Sequence, residues 1–236
     1  MSILNSHIDD FSNKVCLGDF THEIKYFLKV IEKCNFEFPK VLIIGCGDGS
    51  EAYKMYEMTG WNIFGIDAVE PKRFKEVNLI KSEAENLPFE DNTFDIVYSN
   101  HVLEYIIGYK KVLDQIIRVI KPNGVCYLTF PNKARLIGDV GARGLNLFSK
   151  VRANFRDWNM RIAGKWNMES GAHCGFDYNI IAKEFEQRFN KVEYLRNLYY
   201  ESKYGADSIL LKLVRLFRMH NILLPSHIFL LKDPKK

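Results

Sequence analysis

An almost unbroken apolar run, Lys40-Val41-Leu42-Ile43-Ile44, leads directly into Gly45-Cys46-Gly47-Asp48-Gly49. A strand that alternates apolar and polar residues has one wet face; a continuous apolar run belongs to a strand buried on both faces, as in a parallel sheet. The three glycines that follow let the backbone turn tightly and approach a ligand with no Cβ in the way. Ser50 to Thr59 is compatible with a helix, and Asn62-Ile63-Phe64-Gly65-Ile66 then repeats the buried-strand pattern. This constrains the chain to begin its core with a strand, helix, strand unit.

The same alternation continues. An amphipathic helix over Phe20 to Lys33 precedes the first strand, with Phe20, Ile24, Phe27, Leu28 and Ile31 on one face. Phe94 to Tyr98 is a further buried strand, and Tyr109, Val112, Leu113, Ile116, Ile117 and Ile120 recur at helical spacing behind it. Pro122-Asn123-Gly124 breaks that helix before a strand over Val125 to Phe130. Such alternation predicts a doubly wound sheet with right-handed crossovers. After Pro131 the rhythm is lost across residues 132–175, which hold Gly138, Gly141, Gly144, Gly164 and two copies of Trp-Asn-Met, at 158–160 and 166–168. Irregular segments of this length are more often functional lids than structural necessities. Order resumes with a helix near Tyr178 to Phe189, a strand near Val192 to Tyr200, a helix near Ser208 to His220 and a strand near His227 to Leu231. The 236 residues are thus expected to form one domain, with residues 1–39 as an N-terminal helical segment and 132–175 as a lid-like insertion.

Composition excludes several classes. At 47% hydrophobic and 26% charged residues the chain is globular rather than disordered. Its five cysteines, Cys16, Cys34, Cys46, Cys126 and Cys174, include no CxxC pair, so no metal site is expected. They read as reduced thiols. The opening MSILNSHIDDFSNK has neither a basic n-region nor a long apolar h-region, and no apolar run is long enough to span a bilayer, which predicts a cytoplasmic protein without a transmembrane segment. The net charge of +4 hides an asymmetry: residues 1–130 carry 14 Lys and Arg against 19 Asp and Glu, while residues 131–236 carry 19 against 10. The basic half suits an anionic substrate, a nucleic acid or a membrane surface, or is simply a solvated face.

Asp67 follows the second strand, where a carboxylate can accept hydrogen bonds from both hydroxyls of a ribose. Glycines and acid together fit any adenosine-containing ligand, and their spacing does not separate a dinucleotide from other nucleosides. What separates them is Ser82-Glu83-Ala84-Glu85-Asn86-Leu87-Pro88-Phe89-Glu90-Asp91-Asn92-Thr93-Phe94-Asp95, followed by Val102-Leu103-Glu104-Tyr105 and by Ile120-Lys121-Pro122-Asn123-Gly124. Across residues 40–131 the chain resembles the class I S-adenosylmethionine (SAM) dependent methyltransferases, in the group acting on small molecules and lipids. The resemblance implies an α/β, Rossmann-like fold: a seven-stranded, mostly parallel sheet with helices on both faces, the last strand antiparallel, and the insertion after the fifth strand. It also implies SAM as cofactor. Gly45, Cys46, Gly47 and Gly49 would form the cofactor loop, Asp67 would hold the ribose, Glu83 and Ala84 would lie at the adenine edge, and Asn100 near the methionine moiety. Three positions depart from the family pattern: Ile43 stands where an acid is frequent, Glu83 where Asp is usual, and Tyr105 where His is frequent. The first removes a charged anchor for the cofactor.

Methyl transfer needs an in-line nucleophile in a dry site, and a base where the acceptor is a hydroxyl. His101 is the candidate base. Arg152, Arg156 and Arg161, with His173, are candidates for acceptor binding, because guanidinium groups suit phosphate or carboxylate. In the last helix Lys212, Arg215 and Arg218 recur on one side and Ile209, Leu210, Leu213, Val214 and Phe217 on another, a pattern that rests on anionic lipid or covers the sheet. The resulting expectation is a SAM-dependent methyltransferase for a small-molecule, lipid-linked or glycan-precursor acceptor. The alternatives are an RNA methyltransferase, using the basic half as a phosphate track, and a SAM-binding protein without turnover.

Overall fold

A computed structural model describes residues 21–72, 74–138, 146–169, 174–217 and 219–236. The continuous apolar runs are inner strands: β1 (Lys40–Ile44), β2 (Asn62–Asp67), β4 (Phe94–Asn100) and β5 (Ile120–Pro131), with a short β3 (Asn78–Lys81) beside β2. With β6 (Phe189–Tyr194) and β7 (Ser226–Pro234) they form one seven-stranded sheet in the order β3-β2-β1-β4-β5-β7-β6. Pairing is parallel from β3 through β5. β7 runs antiparallel to both its neighbours, as the resemblance implies.

Successive residues of each inner strand sort onto opposite faces, as the pleat requires. Ile43, Tyr98, Tyr127 and Leu230 enter one apolar cluster, with α1 (Thr21–Ile31), α2 (Ser50–Thr59) and α6 (Arg196–Tyr204) packed on it. Leu42, Val97, Leu128 and Phe229 enter the other, beneath α3 (Tyr109–Val119) and α5 (Tyr178–Arg188). Between β5 and α5 lies α4 (Leu147–Ile162); between α6 and β7 lie α7 (Ile209–Leu216) and α8 (His220–Leu223). Because the sheet is parallel through β5, the ends of β1, β2, β4 and β5 gather at one carboxyl edge. β6 lies antiparallel to β7, so the turn from β6 into α6 and the start of β7 reach that same edge.

The structure corrects three expectations. Residues 132–175 are not irregular throughout: α4 fills 16 of them, starting from Asn146, whose side chain accepts the Ser149 amide. The strand expected near Val192 to Tyr200 stops at Tyr194, and Arg196 to Tyr204 is helix. Aromatic residues favour strands in general, but here Tyr199 packs edge-on against Tyr26 of α1, 5.1 Å between ring centres, and tertiary packing decides. In the last helix the apolar side splits: Leu211 and Val214 are buried, whereas Ile209, Leu213 and Phe217 face solvent. Arg218 lies outside the described residues.

The insertion is fastened by polar contacts. The Arg135 guanidinium, itself buried, donates to the carbonyls of Asn132 and Cys174 at 3.1 and 3.0 Å and lies 3.6 Å from the buried Asp157 carboxylate of α4. Removing Arg135 takes from Asp157 its buried partner and leaves it the exposed Arg156, also 3.6 Å away, whereas loss of a buried pair's partner costs up to about 3–5 kcal/mol. Arg135→Met should therefore release α4 to limited proteolysis while the far-ultraviolet circular dichroism of the sheet is kept.

Candidate functional site

The glycine loop takes its shape from close contacts that admit no side chain. Gly45 and Gly49 have φ of +74° and +90°, and a Cβ on them would collide with Val102 and Leu79 respectively. The Gly45 and Cys46 amides both donate to the Ile66 carbonyl, at 2.8 and 3.0 Å. Asp67 completes the connection, its Oδ2 accepting the Gly47 amide at 2.8 Å and its Oδ1 the Val69 amide at 2.9 Å. The Ser82 amide donates to the Asp67 carbonyl at 2.8 Å, which brings Glu83 and Ala84 to the same strand end. Ala84 is buried and Glu83 exposed. Arg118 of α3 holds the segment beyond, donating to the Leu87 and Phe89 carbonyls at 2.9 and 2.6 Å. Gly45, Cys46, Gly47, Gly49, Asp67, Glu83 and Ala84 therefore line one continuous edge. Cys46 is a buried, neutral thiol, its pKa pushed up to about 12 by burial and then by the nearby Asp67 charge.

Sequence reasoning missed Glu51. It sits on the first turn of α2, buried, and its Oε1 accepts from Tyr98 Oη at 2.6 Å and from Asn100 Nδ2 at 3.2 Å. Asn100 in turn accepts from Thr129 Oγ1 of β5 at 2.5 Å. Ile43 is paired in register with Tyr98 and is fully buried in the core below. Glu51 thus supplies a carboxylate on the sheet face where Ile43 supplies none. Burial raises its pKa to about 7, against the lowering pull of the Tyr98 and Asn100 hydrogen bonds; Glu23 raises it further and His101 lowers it. In sequence, an acid in a first helical turn reads as an ordinary partner of the helix dipole, and only the register between α2 and β4 shows otherwise.

His101 follows Asn100 with φ of +57°, a left-handed conformation that costs a side-chain-bearing residue about 1–2 kcal/mol. Its amide donates to the Thr129 carbonyl at 3.0 Å. Its Nδ1 lies 3.3 Å from the buried Glu104 carboxylate, and its Nε2 lies 3.4 Å from Ser226 Oγ at the start of β7. An imidazole oriented by a carboxylate at one nitrogen, with the ring partly exposed at the other, is arranged to take a proton. The i,i+3 spacing of His101 and Glu104 was the available signal. His173 lies outside the described residues.

The three candidate arginines do not converge. Arg161 donates to the Lys133 and Arg135 carbonyls at 3.0 and 2.6 Å and stacks 4.3 Å from the Trp166 ring, so it belongs to the fastening of the insertion. Arg152 and Arg156 are exposed and line a shallow recess with Lys165.

A family model described as "Methyltransferase domain" matches residues 42–128. The sterol 24-C-methyltransferase of Schizosaccharomyces pombe is 35% identical over 98 residues, 36% of this chain and 26% of that protein. The mitochondrial arginine-hydroxylase of Mus musculus is 38% identical over 95 residues, 38% of this chain and 28% of that protein. An uncharacterised protein of Methanocaldococcus jannaschii is 30% identical over 158 residues, 61% of this chain and 69% of that protein. Among solved structures, phosphoethanolamine N-methyltransferase 2 of Haemonchus contortus, in complex with SAM, has the same fold with a TM-score of 0.54 at 15% identity, covering 88% of this chain and 52% of that one. The chain spans about a quarter of the length of the first two relatives. Its fold, strand order and matched domain place it in one class, and the chain belongs to the class I SAM-dependent methyltransferase family.

The raised pKa of Glu51 has a thermodynamic sign. A carboxyl that holds its proton more tightly when folded stabilises the fold below its ordinary value of 4.5, and that contribution is lost as pH rises to about 7. Glu51→Gln keeps an oxygen for both donors and removes the charge. It should stabilise the ligand-free protein by about 2–3 kcal/mol above neutral pH and by little near about pH 5, measured by urea denaturation.

Proposed function

We propose that this protein transfers a methyl group from SAM to a small-molecule or lipid-linked acceptor. The observation that carries the reading is the pair of carboxylates flanking the glycine loop: Asp67 tied to the Gly47 amide, and the buried Glu51 beside Asn100. A ribose diol and an ammonium are the two groups of SAM that such carboxylates suit, and Gly45 and Gly49, where a Cβ would meet Val102 and Leu79, keep the loop tightly turned beside them. SAM supplies an electrophilic methyl on a sulfonium. The chain's own residues bind, orient and dehydrate: Asp67 accepts from the ribose, Glu83 and Ala84 border the adenine, and Glu51 and Asn100 receive the amino-acid end. His101, steered by Glu104, takes the proton of a hydroxyl acceptor at Nε2. The insertion covers the acceptor and excludes water, which is its contribution as a lid. Arg152 and Lys165 are exposed cations there, available to an anionic group on the acceptor, beside Arg156, which also pairs with Asp157.

The sterol enzyme among the relatives supports an apolar acceptor. The arginine-hydroxylase relative shows that this domain also accompanies other chemistry, so binding and turnover are tested separately. Calorimetry should show binding of SAM and none of NAD, with Asp67→Ala weakening SAM by about 1.5–3 kcal/mol. Affinity for SAM should rise between about pH 6 and pH 7 as Glu51 ionises, and that rise should be absent in Glu51→Gln. NAD binding without SAM binding overturns the reading. Turnover is checked with isotopically labelled SAM and an extract of the source cells. His101→Gln should cut methyl incorporation into a hydroxyl acceptor by about 10²- to 10⁴-fold while leaving SAM affinity unchanged.

A further inference from the structure

Helix α4 turns its polar residues inward and its apolar residues outward. Asn154 exchanges two hydrogen bonds with the Gly138 backbone, at 2.7 and 3.0 Å; Asp157 faces Arg135; and Arg161 caps the carbonyls of residues 133 and 135. Leu147, Phe148, Val151, Phe155, Trp158 and Ile162 are between 41% and 82% exposed. At 100° per residue these six fall within one arc of about 100°, so they form a single stripe along the helix. Single exposed apolar residues are ordinary, but a contiguous stripe of six large ones marks an interaction surface.

Charge indicates what the stripe meets. From Leu147 to Lys165 there are five cations and one acid. That acid, Asp157, is buried between Arg135 and Arg156, 3.6 Å from each. Arg152 and Arg156 border the stripe on its solvent side and are exposed. α7 likewise exposes Ile209, Leu213, Leu216 and Phe217, but its Lys212 is paired with Asp207 at 3.0 Å and its Arg215 with Glu201, so this face contributes apolar surface rather than free charge. The two helices belong to the same end of the molecule. α4 follows β5 and α7 lies between β6 and β7, and the Leu136 amide and the Asn132 side chain bond to carbonyls of Ile222, Asn221 and Leu224 around α8. Among the described residues no helix is long and apolar enough to cross a membrane.

We infer that the outward faces of α4 and α7 form a docking surface for a bilayer carrying anionic lipid, the apolar stripes entering the boundary between headgroups and acyl chains while Arg152 and Lys165 beside the α4 stripe meet lipid phosphates. On α4, apolar residues beside cations, with the acid withdrawn, match a lipid interface. The inference stands on this surface alone and is independent of methyl transfer. If both hold, the carboxyl edge with its cofactor loop lies close to the bilayer, and the acceptor enters from the lipid.

The test is sedimentation of the full chain with vesicles of phosphatidylcholine alone or mixed with phosphatidylglycerol. Binding is expected to the mixed vesicles, and to weaken as salt is raised. Phe148→Ser with Phe155→Ser should reduce it by roughly tenfold or more. Arg152→Gln with Lys165→Gln should reduce the preference for phosphatidylglycerol by roughly tenfold, at about tenfold per pair of interfacial cations or more. These side chains are exposed, so thermal melts of both variants should match the parent, and any loss of binding then reports the surface itself. Failure of the parent chain to bind mixed vesicles overturns the inference. So does binding that both variants retain in full. A dimer seen by light scattering that the phenylalanine variant abolishes, with no vesicle binding by the parent, would assign the stripe to a second copy of the chain instead.

Discussion

The hydrogen bond from the Gly47 amide to Asp67 joins the two strand ends on which the site is built. β1 and β2 are paired in parallel from Lys40 with Asn62 to Ile44 with Ile66, so their carboxyl ends emerge level, and the glycine loop of one meets the terminal acid of the other. The Ile66 carbonyl receives two loop amides, so the loop is hydrogen-bonded to its neighbour at three points before any ligand is considered. A parallel sheet imposes this geometry, since every strand must return to the same starting edge and deliver its end to the same finishing edge. Glu51, Asn100, Thr129, His101 and Ser226 reach that edge from α2, β4, β5 and β7, although they span much of the sequence.

Glu51 shows how such a frame can relocate a charge. An acid at position 43 would rise from β1 itself; with isoleucine there the position joins the core, and the carboxylate arrives from the next helix, one layer above the sheet. The relocation leaves the acid buried with an aromatic hydroxyl and an amide as donors, which explains a pKa near neutrality. The cost of keeping it ionised without a cationic partner falls on the ligand-free fold, and a bound ammonium would offset it. A destabilised group at a binding site is what differential stabilisation by a ligand predicts.

Legibility in the sequence followed burial. β1, β2, β4 and β5 are buried on both faces, so their apolar runs declared them, and the glycines and Asp67 could be placed from the chain alone. β3 has only four residues, mostly exposed at the sheet edge, and its sequence Asn-Leu-Ile-Lys carries no pattern of its own. The helix at Arg196 was hidden by aromatics whose packing on α1 lies far away in sequence. α4 was hidden differently: Leu147, Val151, Phe155, Trp158 and Ile162 do recur at helical spacing, but glycines at 138, 141 and 144 and the repeated Trp-Asn-Met suggested irregular chain. Glu51 and the Glu104 partner of His101 are ordinary acids until the fold sets them beside Tyr98 and the end of β4.

The insertion follows from the same constraint that makes the site. Residues joining β5 to α5 must cross the carboxyl edge, and the polar ends gathered there offer little apolar surface on which a helix could bury itself. α4 is accordingly held by Asn154, Asp157 and Arg161 on backbone amides and carbonyls and on a buried guanidinium, contacts that satisfy polar groups and bury no stripe. Its apolar residues are then free of the core and lie exposed along one side of the helix. A helix fastened by polar contacts can shift without disturbing either apolar cluster of the sheet, because none of its residues belongs to them. That separates two parts of the chain: the sheet holds the edge that carries the glycine loop and Asp67, while the segment above it is held by polar contacts of its own.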